Sequence, residues 1–436
     1  MPQPAATWND CLRYAAVSDV GMRRANNQDA YNVVLAGDEA QLHKRGHLFV
    51  VADGMGAHVA GELASKLAAD RIPHHYHKFD DYSAPEALQR AVLEANSEVN
   101  QRGRANPDFF NMGTTCSALV LMPQGAIVAH IGDSRVYRLR GEQLEQLTFD
   151  HSLVWELRST GQVSPESDID RLLPKNVITR SLGPNPSVQV DVEGPYAIEE
   201  GDTFLVCSDG LTGQVEDEEI AALLAQLDPE AAARSLVGLA NLRGGPDNIT
   251  VIVAKATGPR LTTSHGGGDP ITLGRIVPPR RVHPVLWGMV LACLLAAAAF
   301  GIARSAVGAL IAAGLAVVLL IAAMIVKFAP IKQGVALGHR HRLGRGPYTH
   351  APILAAADFV NRLADSAQTL REANDEQLTG EHWSAFDRAL ASARQAAHDS
   401  RPPEAFRHCA EAIGGLTRNL HNRRSSKPSD SRVDSK

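Results

Sequence analysis

The pattern of apolar and polar positions divides the chain into three regions. Up to about residue 255, helical stretches alternate with short apolar runs, and the runs at residues 48–52, 126–131 and 203–207 are nearly continuous. Such runs indicate strands that are buried on both faces. Residues 284–330 are apolar almost throughout, and helical periodicity returns after residue 349. The pattern therefore predicts a mixed α and β region, a membrane segment and a helical C-terminal region.

The apolar segment is interrupted only by Arg304 before Lys327. A membrane-spanning helix needs about 20 apolar residues, so residues 284–330 are too long for one span and suit two, with a turn near residues 301–305. A buried helical hairpin in a soluble protein is the alternative. Basic residues flank both ends of the segment: Arg275, Arg280, Arg281, Lys327, Lys332, Arg340, Arg342 and Arg345. Because positive flanks stay in the cytoplasm, we expect both termini there.

Six segments follow from this anchor. Residues 1–256 form the mixed α and β domain, 257–283 a Gly/Pro-rich basic linker, 284–329 two transmembrane helices and 330–348 a basic juxtamembrane segment. Residues 349–422 are helical and 423–436 are polar and disordered. Apolar residues at helical spacing mark two late helices, at Phe386, Ala389, Leu390, Ala393 and Ala397 and at Phe406, Cys409, Ala410, Ile413 and Leu420. Pro402 and Pro403 mark the start of the second helix.

Charge narrows the possible partners. The net charge is −5, but the first 255 residues carry −14 and the rest carry +9. An acidic first half disfavours nucleic acid as the main partner and suits divalent cations. The five cysteines show no paired spacing, which argues against a disulfide framework and a cysteine-ligated zinc site.

Aspartates placed beside Gly or Asn carry the candidate chemistry. Asp53, Asp133 and Asp209 each follow an apolar run, and Asp247 precedes one. A single Asp-Gly is more often a tight turn, but four such segments together favour a site in which oxygen ligands bind Mg²⁺ or Mn²⁺. The segment Asn27-Gln28-Asp29 lies downstream of Arg23 and Arg24, which could clamp an anion.

The order of these segments resembles that of the metal-dependent Ser/Thr protein phosphatases of the protein phosphatase 2C family, in their bacterial form. The resemblance covers about residues 12–256 and includes SDVGMRRANNQDAY, VVADGMGAH, MGTTCSALVL, AHIGDSRVYRL, CSDGLTGQ and GGPDNITVIV. It implies an α+β fold, a four-layer α-β-β-α sandwich of two antiparallel sheets flanked by helices, with the metal site at one end.

The resemblance also implies roles for particular residues. Asp53 would bridge two Mn²⁺ or Mg²⁺ ions, and Asp209 and Asp247 would bind one of them. Gly54 would offer its backbone carbonyl to the other ion. Two further residues would act on the phosphoryl group or on water: Arg24 as the phosphate clamp and Asp29 behind the metal ligands. The ions would activate a bridging water that attacks the phosphorus directly.

The chain departs from the family pattern at several positions. Gln28 replaces the usual Glu, Ala57 replaces the second Gly of DGMGGH, and Gly213 stands where many members have an Asp that helps Asp133 to bind a third ion. The third ion is therefore in doubt. Met55 occupies the position at which eukaryotic relatives have a His, and His58 is expected to be structural.

Three other features are interpreted as follows. His74, His75 and His77 with Tyr76 are expected in a solvated loop, and residues 150–182 form a flap beside the active site. His339-Arg340-His341-Arg342 is expected to contact anionic lipid headgroups.

The sequence thus predicts a bacterial inner-membrane protein phosphatase with its catalytic domain and C-terminal region in the cytoplasm. It would hydrolyse phosphoserine and phosphothreonine in proteins and oppose a membrane Ser/Thr kinase, with a receptor-like kinase as a candidate partner. The alternative is a membrane-anchored pseudophosphatase, a scaffold that binds phosphoproteins without turnover.

Overall fold

The computed structural model describes residues 11–56, 59–164, 167, 173–174, 177–263, 270–273, 284–328, 336–337, 342–372 and 380–426. The chain forms two compact units. The first contains Met1–Asp80, Ala84–Ile271 and Leu337–Lys436, and the second contains Thr272–Ala336 together with Asp81–Ser83. The first unit is therefore built from chain on both sides of the apolar segment.

Twelve strands lie in the described part of the first unit. They are β1 (Leu12–Asp19), β2 (Asp29–Val34), β3 (His47–Met55), β4 (Gly113–Thr114), β5 (Cys116–Met122), β6 (Gly125–Ile131), β7 (Arg135–Arg140), β8 (Gln143–Gln146), β9 (Asp191–Tyr196), β10 (Thr203–Cys207), β11 (Ile249–Ala256) and β12 (Thr349–Pro352).

The helices of the first unit fall before and after the apolar segment. Those before it are α1 (Glu39–Lys44), α2 (Val59–Lys78), α3 (Ala84–Ala105), α4 (Leu153–Ser159), α5 (Asp209–Thr212), α6 (Asp217–Gln226) and α7 (Pro229–Leu242). The second unit contains α8 (Pro284–Ile302) and α9 (Ala306–Phe328). The helices of the first unit that follow the apolar segment are α10 (Ala356–Glu372), α11 (Gly380–His398) and α12 (Pro402–Ser426).

Two antiparallel sheets form the centre of the first unit. One has the strand order β1-β11-β10-β7-β8-β12, and the other has the order β2-β3-β5-β6-β9, with β4 paired to β3. Buried residues such as Phe49 and Val128 of the second sheet share a core with Phe204 and Ile252 of the first. Helices α2 and α3 cover the second sheet, and α6 and α7 cover the first. The predicted α+β arrangement of two antiparallel sheets flanked by helices is confirmed.

The chain after residue 342 adds to this sandwich. Strand β12 pairs with β8 and so extends the first sheet by one strand. Helices α10, α11 and α12 share a hydrophobic core with α6 and α7, in which Phe359, Phe386 and Phe406 lie with Leu223 and Leu236. The sequence indicated the helices, and α12 begins at Pro402 as expected, but the added strand was missed.

The apolar segment forms the two helices α8 and α9. Val285–Ile302 is long and apolar enough to cross a membrane, by length and composition only, and the shorter apolar stretch Ala306–Ile321 follows it. The turn falls where the sequence predicted it, and Arg304 there has a φ of 55°.

The structure corrects three expectations. The histidine cluster does not lie in a solvated loop, because α2 continues through Pro73 to Lys78. His75 contacts Glu98 at 2.7 Å, and the hydroxyl of the buried Tyr76 donates to the Arg45 carbonyl. The expected linker also begins later than residue 256, since Leu261 is buried in the sandwich core. The predicted disordered tail does not begin at residue 423, because α12 continues to Ser426. Residues 264–269, 274–283, 338–341 and 427–436, on which other linker, lipid-contact and tail predictions fall, lie outside the described residues.

Candidate active site

The centre of the site is the C-terminal end of β3. Antiparallel pairing with β2 places Asp29 directly opposite Asp53. The backbone of Asp53 is fixed on its other side, because its carbonyl accepts from the Thr114 hydroxyl at 2.8 Å and its N–H donates to the Thr115 hydroxyl at 2.9 Å. Asp53 is thus held rigidly at the edge of a buried strand, as a metal ligand or catalytic group requires.

A second strand end brings Asp209 to the same place. Asp209 begins α5, two residues after β10 ends, and its carboxyl group lies within hydrogen-bonding reach of the Asp53 carboxyl. The preceding residue, Ser208, donates its hydroxyl to Asp29 Oδ2 at 2.7 Å. Three of the predicted aspartates therefore meet where the two sheets face each other.

Burial and mutual repulsion raise the pKa values of this carboxyl cluster. Desolvation is the main cause in each case, and neighbouring carboxylates add to it. The pKa of Asp29 rises to about 7 and that of Asp133 to about 8, while the pKa values of Asp53 and Asp209 also rise. Crowded carboxyl groups of this kind are unfavourable on their own and suit a site that binds cations.

Unpartnered oxygen atoms give an independent indication. The Oδ1 atoms of Asp29, Asp133 and Asp209 are buried without a hydrogen-bond partner. Within the part of the chain that the structure describes, no group of three or more Asp, Glu, His or Cys side chains is arranged so that it could hold a metal ion by itself. Mg²⁺ usually keeps several waters and takes only one or two carboxylates, so open carboxylate oxygens fit a hydrated hard cation. The residues present therefore fit the metals that the sequence suggested.

The predicted phosphate clamp lies beside the fourth aspartate. Arg24 donates to Asp247 Oδ2 at 2.7 Å, and the Arg24 side chain is 49 % exposed. Hydrogen bonds fix the loop that carries Arg24, because the N–H groups of Met22 and Arg23 donate to the Gly245 carbonyl at 2.7 and 3.2 Å. Arg24 thus combines a supported backbone with an accessible guanidinium, and Asp247 lies at the rim of the carboxyl cluster.

Sequence reasoning missed the residue that joins these loops. The side chain of Asn248 accepts from the Gln28 N–H at 2.7 Å and donates to the carbonyls of Val20 and Asn26, each at 3.0 Å. It therefore fixes the segment that carries Arg24 to the start of β11. The sequence shows only a polar residue directly before an apolar run, in the segment GGPDNITVIV.

The departures from the family pattern lie close to the cluster. Gly54 and Gly61 are in such close contact that a Cβ on Gly54 would come within 2.1 Å of the Gly61 carbonyl oxygen, and Gln28 packs against the same Gly61. Gly213 caps α5 and lines a cavity of about 390 Å³ with Asp133 and Asp209. Ala57 and His58 lie outside the described residues.

The flap borders the same cavity. Trp155 and Arg158 of α4 line the cavity. Arg135 of β7 forms a salt bridge of 2.7 Å with Asp150 and so connects the flap to the sandwich. Residues 165–166, 168–172 and 175–176 of the predicted flap lie outside the described residues. The cavity beside the cluster is therefore lined by two arginines and a tryptophan together with the carboxyl groups of Asp133, Asp150 and Asp209. The arginines suit an anionic substrate and the carboxyl groups suit cations.

Comparison with known proteins agrees with this geometry. Residues 22–239 match the family described as Protein phosphatase 2C. Protein phosphatase PhpP of Streptococcus pneumoniae is 37 % identical over 245 residues, which are 55 % of this chain and 96 % of that protein. The structure of the S. agalactiae serine/threonine phosphatase is 34 % identical, with a TM-score of 0.51, and covers 56 % of this chain and 99 % of that chain.

A third relative was solved with metal. The catalytic domain of serine/threonine protein phosphatase PstP, in complex with two manganese ions, is 36 % identical over 57 % of this chain and 99 % of that chain, with a TM-score of 0.48. Since the family match and an almost fully covered relative agree with the carboxyl cluster, the chain belongs to the protein phosphatase 2C family and is a protein phosphatase.

Proposed function

We propose that the protein hydrolyses phosphoserine and phosphothreonine in proteins with the help of two divalent cations, Mn²⁺ or Mg²⁺. The observation that carries this proposal is the cluster of Asp29, Asp53 and Asp209, whose buried carboxyl groups crowd together and leave oxygen atoms without partners. The neighbouring guanidinium of Arg24 provides an accessible positive charge for a phosphoryl group. Neither feature stabilises the fold by itself, so function explains them better than structure does.

The residues that would hold the ions are Asp53, Asp209 and Asp247 through their carboxylates and Gly54 through its carbonyl, and Asp133 would be available to a weaker third ion. When bound, such ions lower the pKa of coordinated water and neutralise charge on the phosphoryl oxygens.

Two further residues have roles in this proposal: Arg24 contacts the substrate, and Asp29 lies behind the metal ligands. Arg24 binds the phosphoryl oxygens and orients them, and its supported loop limits how far it moves. Asp29, held by the Ser208 hydroxyl, orients water beside Asp53.

Turnover by the full-length protein tests the proposal. In detergent or nanodiscs, hydrolysis of a phosphothreonine peptide should require Mn²⁺ or Mg²⁺ and stop with EDTA. Asp53→Ala should lower turnover by at least ~10³-fold, because it removes the ligand shared by both ions. Asp70→Ala, at an exposed position on α2, is the control and should keep full activity. More than a tenth of the original activity in Asp53→Ala would contradict the two-ion assignment.

A scaffold without turnover remains the alternative, because Gln28 and Gly213 remove carboxylates that the family usually has. The same preparation distinguishes it. A scaffold would bind the phosphopeptide in calorimetry and release no phosphate at any Mn²⁺ concentration.

We further propose that the chain crosses the bacterial inner membrane twice and keeps the phosphatase in the cytoplasm. Two observations support this topology. The apolar helices lie between two parts of one compact unit, and the Leu337 N–H donates to the Ile271 carbonyl at 2.6 Å, where the insertion begins and ends. A compact unit lies on one side of a membrane, so the chain between its parts must cross an even number of times. The basic flanks select the cytoplasmic side.

Cysteine labelling tests the topology. A membrane-impermeant maleimide applied to intact spheroplasts should label Arg304→Cys, at the turn between the apolar helices, and should reach Asp70→Cys only after lysis. Labelling of Asp70→Cys in intact spheroplasts would overturn the cytoplasmic assignment. In the proposed location the phosphatase meets phosphorylated proteins and opposes a Ser/Thr kinase, such as a receptor-like kinase in the same membrane.

A further inference from the structure

The outer face of α7 is covered by the returning chain. Gly238 lies at the closest approach to α12, where an added Cβ would be 2.5 Å from Ile413 Cγ2 and 3.0 Å from Thr417 Oγ1. Ile413 is fully buried, and Leu416 is 1 % exposed. Helix α12 therefore packs on α7 at the density of a protein interior and belongs to the same core.

The C-terminal end of α7 is held by the same region. The Arg243 guanidinium, which follows α7, donates to the Ser366 hydroxyl of α10 at 3.1 Å. It also donates to both carboxylate oxygens of Glu219, at 2.6 and 2.7 Å, and to the Gln214 carbonyl at 2.8 Å. One side chain thus connects α10, the start of α6 and the end of α7.

The residues after Arg243 hold the phosphate clamp. Gly245, two residues on, accepts the N–H groups of Met22 and Arg23, directly before Arg24. A cavity of about 590 Å³ is lined by Met22 and Arg23 of this loop and by Ser366 and Leu370 of α10. The clamp loop is therefore in the immediate surroundings of the C-terminal helices.

We propose that the C-terminal helices act as a positioning element for the phosphate-binding loop, with Arg243 as the positioning residue. The family match ends at residue 239, and PhpP aligns with 55 % of this chain, so the element is an addition to the shared domain. Packing of α12 on α7 and the Ser366–Arg243 contact fix the loop at residues 243–247, and this loop fixes the backbone of Arg24. The inference rests on the proposed function, because it assigns the phosphoryl group to Arg24.

A substitution inside the α7–α12 contact tests the proposal away from the active site. Gly238→Val places two methyl groups against Ile413 and should shift α12 away from α7. The matched control is Gly414→Val on α12, where an added Cβ meets nothing within 4 Å. Ser366→Ala is a milder second variant that removes the hydroxyl contacting Arg243. All are made in the full-length protein in nanodiscs with Mn²⁺.

The readout is the KM for p-nitrophenyl phosphate together with the inhibition constant of inorganic phosphate. Displacement of a positioned group by about 1 Å can cost up to ~10²-fold. We expect both constants to rise at least ~5-fold in Gly238→Val and ~2-fold in Ser366→Ala, and to stay unchanged in Gly414→Val. A merely structural role would lower kcat in proportion to the folded fraction and leave both constants unchanged, which would overturn the proposal.

Phosphate binding separates this inference from the proposed function. If the original protein shows no turnover, the function fails, but calorimetric titration with phosphate and Mn²⁺ still compares Gly238→Val with Gly414→Val. Equal affinities in that titration overturn the positioning role. Weaker binding in Gly238→Val alone supports it.

Discussion

The ion pair of Glu219 and Arg243 should contribute strongly to stability. The Glu219 side chain is 1 % exposed, and its carboxylate meets the guanidinium through two hydrogen bonds of 2.6 and 2.7 Å. At about 4 Å between charge centres and an effective dielectric constant of about 20, the attraction is about 4 kcal/mol. Loss of one partner from a buried pair typically costs about 3–5 kcal/mol, because the other charge stays buried. We therefore expect Glu219→Gln and Arg243→Met each to cost about 3 kcal/mol.

The double variant separates the interaction between Glu219 and Arg243 from the contacts that each residue makes with other groups. When both charges are removed, neither is left buried alone, so Glu219→Gln with Arg243→Met should cost about 2–3 kcal/mol less than the two single costs together. Urea unfolding of the full-length protein in non-ionic detergent, followed by circular dichroism, gives the four free energies. Additivity within about 0.5 kcal/mol would refute this reasoning.

A second pair on α7 is the control. Glu230 and Arg234 form an i,i+4 pair whose side chains are 68 % and 65 % exposed. Solvent screens such a pair, so Glu230→Gln should change the free energy of unfolding by less than about 0.5 kcal/mol. A larger effect there would mean that the unfolding measurement responds to charge in general.

The remaining predictions concern acid stability and the third ion. Burial lowers the pKa of His47 to about 4 from 6.5, so its contribution is complete above pH 6.5 and falls as the pH drops towards 4. Between pH 7.5 and pH 5, the His47→Gln variant should therefore lose about 2 kcal/mol less free energy of unfolding than the original protein. The variant His74→Gln, at an exposed position, should lose as much as the original protein. Equal losses in the two variants, measured by urea unfolding, would contradict this prediction. Asp133→Ala should lower turnover less than Asp209→Ala, since Gly213 supplies no carboxylate for a third ion. Gly213→Asp should add a Mn²⁺ site in calorimetric titration, and three tight sites in the unmodified protein would contradict both expectations.

The sequence indicated which candidate site residues come together, because these residues lie at strand ends. An Asp that follows a buried apolar run is held by the sheet, and the convergence of Asp53 and Asp209 needs only that two such ends lie at one edge. The pairing of Asp29 with Asp53 follows from the antiparallel register of β2 and β3. Local patterns therefore carried most of the information on the candidate ligands.

Contacts between distant segments could not be predicted in this way. Nothing in the sequence near Asn248 shows that its amide binds the backbone at Val20 and Asn26. Likewise, the periodicity of residues 402–420 indicates an apolar helix face, but not that Gly238 receives it. A polar stretch that follows a helix predicts a loop at the histidine cluster, whereas the burial of Tyr76 keeps that segment helical. In each case tertiary packing overrode the local signal.

The chain on both sides of the apolar helices is held by backbone hydrogen bonds to one region of the phosphatase unit. Before the apolar helices, the Thr263 N–H donates to the Ile198 carbonyl at 2.9 Å; after them, Leu343 and Gly194 pair through their backbones, with the Gly194 N–H donating at 3.1 Å. These contacts hold the chain against β9 and the residues that directly follow it. The same strand begins with Asp191, which contacts His151 of the flap at 2.9 Å. The ordered chain on both sides of the apolar helices is therefore held in the region of the phosphatase unit that also contacts the flap.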